Sequence, residues 1–300
     1  MTTRSEPSIH AWLAERGIAS TAPLETIHER PWSTVVRVPT ADDTLYLKQC
    51  APAQAFEPAL TGALAGRWRD RLPGVVAVDV ERAWLLLRGG GTRLRELGSF
   101  EPYPRALTLY GELQVGETAD ADELLALRVP DLRLDVVAAA YEPFFAEAHG
   151  LTAEELEQLR ALAPSFRRLC AELDAYGFPP SIQHNDLHDT NVYVRDGGIA
   201  ILDWGDSCIA HPLCSWLVPN GIAQRYGLEV EPLRDAYLEP WTSFAPRDVL
   251  LDALRLALPI ASFVWVLVLE RHLVAMGREH AATYERYVTE QLRKQLEWLS

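Results

Sequence analysis

Between Ser181 and Ser207 the chain reads SIQHNDLHDTNVYVRDGGIAILDWGDS, which sets two histidines, two asparagines and five aspartates around two short apolar runs. Unpaired buried carboxylates are costly, so acids crowded at the ends of strand-like segments call for a chemical reason. Asp186 and Asn191 stand five residues apart, and Asp203 follows twelve residues after Asn191, just past the run IAIL. A β-hairpin turning at RDGG would return Asp203 to the side of Asn191. The two side chains then offer hard oxygen atoms in one place. Such a pair suits magnesium, which fills the rest of its octahedron with water and phosphate oxygens. Asp186 would lie near enough to accept a proton from an acceptor hydroxyl. Phosphoryl transfer needs this combination: a metal on two oxygen ligands, a carboxylate at the nucleophile, and a cation on the phosphates.

The cation must come from a strand elsewhere in the chain. Lys48 is the one lysine before Lys294. It sits in TLYLKQC, where alternation turns Leu45, Leu47 and Gln49 to one face and Tyr46 and Lys48 to the other. A lysine on an inward face needs a carboxylate, and Glu57 at the start of the next helical segment is placed to supply one. The pair would hold an ammonium over nucleotide phosphates. A lysine at a strand edge more ordinarily blocks aggregation, but the acids downstream favour the clamp.

The elements that position these residues follow from periodicity. A first helix is expected over Ser8 to Arg16, stopped by Gly17. STVVRVPT and TLYLKQC form a hairpin about the turn ADD, and FEPALTGALAGRWRDRL has helical spacing, with Leu60, Leu64 and Trp68 on one face. VVAVDV and AWLLL give two further strands before Gly89, Gly90 and Gly91, a hinge beyond which helical periodicity dominates. GETADADELLAL is expected to be an exposed loop entering a helix near Asp120 or Asp122.

HNDLHDTN followed by ILDWGD, with the hairpin, Lys48, Glu57 and WLLLRGGGTRL upstream in that order, resembles the aminoglycoside phosphotransferase family. These are kinase-like enzymes that also include choline and fructosamine kinases. The resemblance runs along nearly the whole chain. It implies an α+β, two-lobed protein-kinase-like fold: a small β-rich N-terminal lobe for the nucleotide over residues 1–88, and a larger, mainly helical catalytic and acceptor lobe over residues 89–300. It implies transfer of the γ-phosphoryl group of ATP, with Mg2+, to a hydroxyl or amine of a small molecule. By position, Asp186 looks like the catalytic base, Asn191 and Asp203 like the magnesium ligands, and Lys48 with Glu57 like the phosphate clamp. His184 resembles the histidine that braces the catalytic loop, and Leu86, Leu87 and Arg88 would run past the adenine with their backbone groups. Where protein kinases carry a glycine-rich phosphate loop this chain has RPWSTVV, which leaves Ser33 and Thr34 to offer hydroxyls or amides. Asp206 is expected beside the metal site rather than on the metal, and His188 as a brace of the loop or a solvent-facing residue.

Composition narrows the partners. The net charge is −14, all of it beyond residue 88, since the first 88 residues balance ten acids against ten bases. That argues against nucleic acid and permits a cationic acceptor such as an aminoglycoside or amino sugar; choline, another amino alcohol or a neutral sugar are the alternatives. The first residues show no apolar leader, and the longest apolar run, Leu256 to Leu269, contains Pro259 and reads as a buried helix rather than a membrane span. Four cysteines without C-x-x-C spacing point to a reducing, cytoplasmic setting without disulfides or zinc. A binuclear hydrolase would need more paired histidines than the chain has, and no G-x-S-x-G elbow supports a serine hydrolase. A nucleotide-binding pseudokinase remains a rival in principle, yet Lys48, Asp186, Asn191 and Asp203 are all present. Nothing in the sequence fixes an oligomeric state.

Overall fold

Alternating valines, leucines and polar residues fold the N-terminal region into one antiparallel sheet, seen in a computed structural model that describes residues 6–147, 149–195, 198–276 and 278–299. After helix α1 (Glu6–Ala14) come strands β1 (Glu25–Arg30), β2 (Ser33–Pro39) and β3 (Thr44–Cys50), helix α2 (Glu57–Arg67), then β4 (Val75–Asp79) and β5 (Trp84–Arg88). The sheet order is β1-β2-β3-β5-β4. Period-two alternation gives the sheet two unlike faces. Val36, Val38, Leu45, Leu47 and Leu86 pack against Ile9, Trp12 and Leu13 of α1, while Lys48 looks the other way. Strand β1, ETIHER, is exposed at five of six positions, so it lacks the alternation by which a half-buried strand is recognised in sequence.

The glycine run leads into β6 (Thr92–Arg93) and α3 (Leu94–Leu97), followed by α4 (Tyr103–Glu117) and α5 (Ala121–Ala126). Next come β7 (Asp131–Leu132), α6 (Leu134–Phe144), α7 (Ala153–Ala161) and α8 (Ala163–Asp174). The acid-rich segment contains β8 (Ser181–Gln183), β9 (Val192–Arg195), β10 (Gly198–Ile201) and β11 (Cys208–Ala210). Helices α9 (Leu217–Tyr226), α10 (Val230–Leu238), α11 (Arg247–Met276) and α12 (Arg278–Leu299) complete the chain. Gly91 has φ +107°, and a Cβ there would meet the Val194 carbonyl oxygen at 2.4 Å, so only glycine lets β6 lie against β9.

One of these expectations needs correction and another holds. GETADADELLAL is no exposed loop: α4 runs to Glu117, which is fully buried, and a single 3-10 turn over Thr118–Asp120 joins it to α5. The apolar run Leu256 to Leu269 lies within a helix of 30 residues, long and apolar enough by those criteria alone to cross a bilayer. Ala253, Ala257, Ile260, Ala261, Phe263 and Val264 are nonetheless buried in the main core, with Phe263 against Tyr141 and Phe166, as in a core helix. The RDGG turn itself includes residues 196–197, outside the described residues.

Candidate active site

The cleft between the sheet and the helical region is assembled by one hairpin and one ion cluster. In the hairpin, β9 and β10 pair antiparallel with Val192 opposite Ile201, and the Leu202 N–H donates to the Asn191 carbonyl at 2.9 Å. That register carries Asp203 to the side of Asn191, as its spacing predicted. Asp203 has φ +65°, a conformation that leaves its carboxylate half exposed and turned to Lys48.

Lys48 Nζ lies 2.8 Å and 2.7 Å from the two Glu57 carboxylate oxygens and 2.5 Å from Asp203 Oδ1. Lys48 and Glu57 are both buried. Burial pulls the ammonium toward its neutral form, but the Asp203 and Glu57 carboxylates more than offset this, so Lys48 is held protonated. Glu57 is pushed up by the same burial, with the negative charge of Asp203 adding to it and the Lys48 ammonium only partly opposing it.

The loop between β8 and β9 is braced on every side. His184 is fully buried; burial lowers its pKa to about 4, so the ring is neutral at physiological pH. Its Nε2 faces the Leu202 carbonyl at 2.9 Å, and Nδ1 accepts the Asp186 N–H at 3.2 Å, which fixes the tautomer with the proton on Nε2. Asn191 Nδ2 donates to the Asp186 backbone carbonyl and to Asp186 Oδ2, each at 2.8 Å, leaving Asn191 Oδ1 for another partner. His188 Nε2 lies 3.2 Å from Asp186 Oδ1. Burial, then the negative charges of Asp206 and Asp203, raise the Asp186 carboxyl well above its ordinary value. Arg95 grips Asp189 with two bonds of 2.9 Å, and Tyr103 donates to the Leu187 carbonyl at 2.9 Å.

Asp206 stands beside Asp186, held by Gln54 Nε2 at 3.0 Å and His272 Nε2 at 2.7 Å. Burial alone would raise it, but the His272 bond and the charges of His272 and Arg271 bring its pKa to about 2. Gln54, Arg271 and His272 were not singled out from the sequence; they lie 65 or more residues from Asp206 in the chain and follow no local pattern.

The structure separates some expected pairs. Ser33 is buried and lines the cleft with Val35, whereas Thr34, one residue along β2, turns to the opposite face and away from it. Leu87 and Arg88 line the cleft, but Leu86 points into the core under α1. The backbones of Leu86 and Leu87 pair with both neighbouring strands and the Arg88 N–H donates to the Gly74 carbonyl, so adenine would meet free backbone only from Gly89 onward. Tyr193 and Arg93, bonded to each other at 2.7 Å, also line this cavity of about 430 Å³.

A model of the phosphotransferase enzyme family matches residues 3–215. The chain belongs to that family. No curated protein sequence matches it. Among solved structures, an aminoglycoside 2'-phosphotransferase in its GDP complex is 15% identical, with TM-score 0.65 over 98% of this chain and 99% of that one. An ethanolamine kinase of Plasmodium vivax is 13% identical, with TM-score 0.62 over 98% and 84%. A macrolide 2'-phosphotransferase type I is 14% identical, with TM-score 0.61 over 96% and 98%. At such identities these likenesses concern the fold: a β-rich N-terminal part over a mainly helical one, the architecture the sequence led us to expect. The phosphotransferase is a small-molecule kinase by family.

Proposed function

We propose that this phosphotransferase moves the γ-phosphoryl group of ATP to a hydroxyl of a small amine-bearing acceptor, with an aminoglycoside or amino sugar as the leading class. The observation that carries the reading is the meeting in one cleft of Lys48, Glu57, Asp203, Asn191 and Asp186, drawn from segments up to 155 residues apart. The acidic excess beyond residue 88 and the Asp186–Asp206 pair favour a cationic acceptor. Choline, other amino alcohols and neutral sugars are the alternatives. Nucleotide binding is assigned to residues 1–88 and acceptor binding to residues 89–300; a cytoplasmic location rests on cysteine usage alone.

Asn191 Oδ1 and the Asp203 carboxylate form an oxygen donor pair that fits a magnesium ion, and Lys48 already touches Asp203, so ammonium and metal would share one carboxylate. Bound there, magnesium neutralises charge on the phosphates. Lys48 supplies fixed positive charge to the same phosphates, with Glu57 holding it in place. Asp186, fixed through Asn191, His188 and the His184-braced backbone, orients the acceptor hydroxyl and receives its proton as the new O–P bond forms and the bond to the leaving diphosphate breaks.

The test is coupled turnover of the purified protein with ATP or GTP and magnesium against aminoglycosides, amino sugars, amino alcohols and neutral sugars. Turnover with an amine-bearing class that vanishes in Asp186→Ala supports the reading. Turnover confined to neutral sugars overturns the acceptor class, and nucleotide binding without turnover of any acceptor favours a pseudokinase.

A further inference from the structure

A second cavity, of about 480 Å³, shares no lining residue with the nucleotide cleft. It lies among α6, α8 and the far ends of β8 and β11. In that antiparallel ladder Gln183 faces Cys208 at one end and Ser181 faces Ala210 at the other. His184 and Asp206 belong to the first end; Pro180 and His211, which line the cavity, belong to the second. The two sites therefore sit at opposite ends of a short ladder, roughly 10 Å apart by strand rise.

At its base is His211, 3% exposed and edge-on to Phe178 at 5.6 Å. Neither ring nitrogen of His211 meets a hydrogen-bond partner among the described residues. Burial lowers its pKa to about 3, so the ring is neutral and offers one donor and one acceptor. Buried polar atoms in native proteins are paired as a rule, so an imbalance at the floor of a cavity points to something that enters it. The walls include Leu134, Ala138 and Phe178. Charge at the rim is unevenly committed. Arg133 is engaged by Asp131 at 2.7 Å and Arg167 by Glu142, whereas the carboxylates of the exposed Asp135 and Asp174 make no hydrogen bond or ion pair among the described residues, Asp135 adding only its charge to the field on Arg133. The charge left over is negative.

We propose that this cavity is a second small-molecule site, for a protonated amine that carries a short apolar body and a hydrogen-bonding group. The ammonium sits between Asp135 and Asp174, the body lies against Leu134 and Phe178, and the polar group reaches the free nitrogens of His211. Its volume falls in the ordinary range for small-ligand pockets. The occupant would rest against the strands that lead into the catalytic loop and Asp206.

Tyramine is a suitable probe, with neutral 4-ethylphenol as its counterpart lacking the amine. Binding is read by calorimetry on the full chain with ADP saturating the nucleotide cleft. Tyramine should bind the wild type more tightly than 4-ethylphenol, and Asp135→Asn/Asp174→Asn should weaken it about tenfold. His211→Leu should also weaken it; should that variant fail to fold, the surface pair still decides. Absence of tyramine binding, equal affinity for 4-ethylphenol, or unchanged affinity in the surface variant would overturn the site, the last by placing the amine in the acceptor cleft.

Discussion

Lys48 Nζ and Asp203 Oδ1 stand 2.5 Å apart across 155 residues, joining the sheet to the end of the β10 segment. The same ammonium holds the buried Glu57. Lys48→Met therefore strands a buried carboxylate and should destabilise the fold by about 3–5 kcal/mol, the usual cost of breaking a buried pair from one side. Lys48→Met/Glu57→Leu should regain much of that loss, since an apolar pair of similar volume is often tolerated. Neither variant should recover turnover. Urea midpoints together with nucleotide titrations check this, and a double variant less stable than the single one would contradict it.

In the proposed function Asp186 serves the acceptor rather than the nucleotide clamp. Asp186→Asn should lower kcat by at least about a hundredfold, within the usual range for a positioned proton acceptor, while the nucleotide Kd changes little. Single-turnover kinetics beside nucleotide titration separates the two. A parallel loss of nucleotide affinity would move Asp186 into the clamp.

His184 predicts how stability depends on pH. Its folded pKa, about 4, lies below the usual value near 6.5, so the fold favours the neutral ring. Its contribution is full above pH ~6.5 and is lost as pH falls toward 4, because the unfolded chain takes up the proton first. The slope approaches about 1.4 kcal/mol per pH unit for one such histidine. Denaturation curves at pH 4 to 7 should show a shallower dependence in His184→Gln than in the wild type. An unchanged slope would mean that His184 takes up its proton equally well in the fold.

Helix α2 is riveted to α4. Arg67 and Trp68 Nε1 both bond Glu117, and a Cβ on Gly116 would come within 2.3 Å of the Trp68 ring. Gly116→Ala should displace Trp68 and lower stability by about 1–3 kcal/mol, the common cost of overpacking. It should also loosen the Glu57–Lys48 pair through α2 and weaken nucleotide binding. A fully wild-type melting temperature would show that the indole moves aside freely.

The sequence made the chemistry more legible than the walls around it. Asp186, Asn191 and Asp203 lie within eighteen residues, so one hairpin register sufficed to bring them together, and Lys48 stood out because it has no neighbouring lysine with which to be confused. The side chains of Thr34 and Leu86 turn from the cleft for a local reason: adjacent strand residues face opposite ways, and a motif read as a block ignores that alternation. The loop reading of GETADADELLAL failed because its acids suggested solvent, while Glu117 is in fact buried against Arg67 and Trp68. Gln54 and His272, which hold Asp206, are set by tertiary packing alone. No spacing in one strand or helix could announce them.

The scarcity of lysine has a practical consequence for labelling. Acylating reagents attack amines in their free-base form, and two carboxylates keep the buried Lys48 protonated. Lys294 on α12 is exposed, which leaves it as the reactive side-chain amine of the native protein. One dye placed there would report on the helical region without touching the cleft. Acylation appearing at Lys48 would then register, molecule by molecule, when the bond between the two regions has opened.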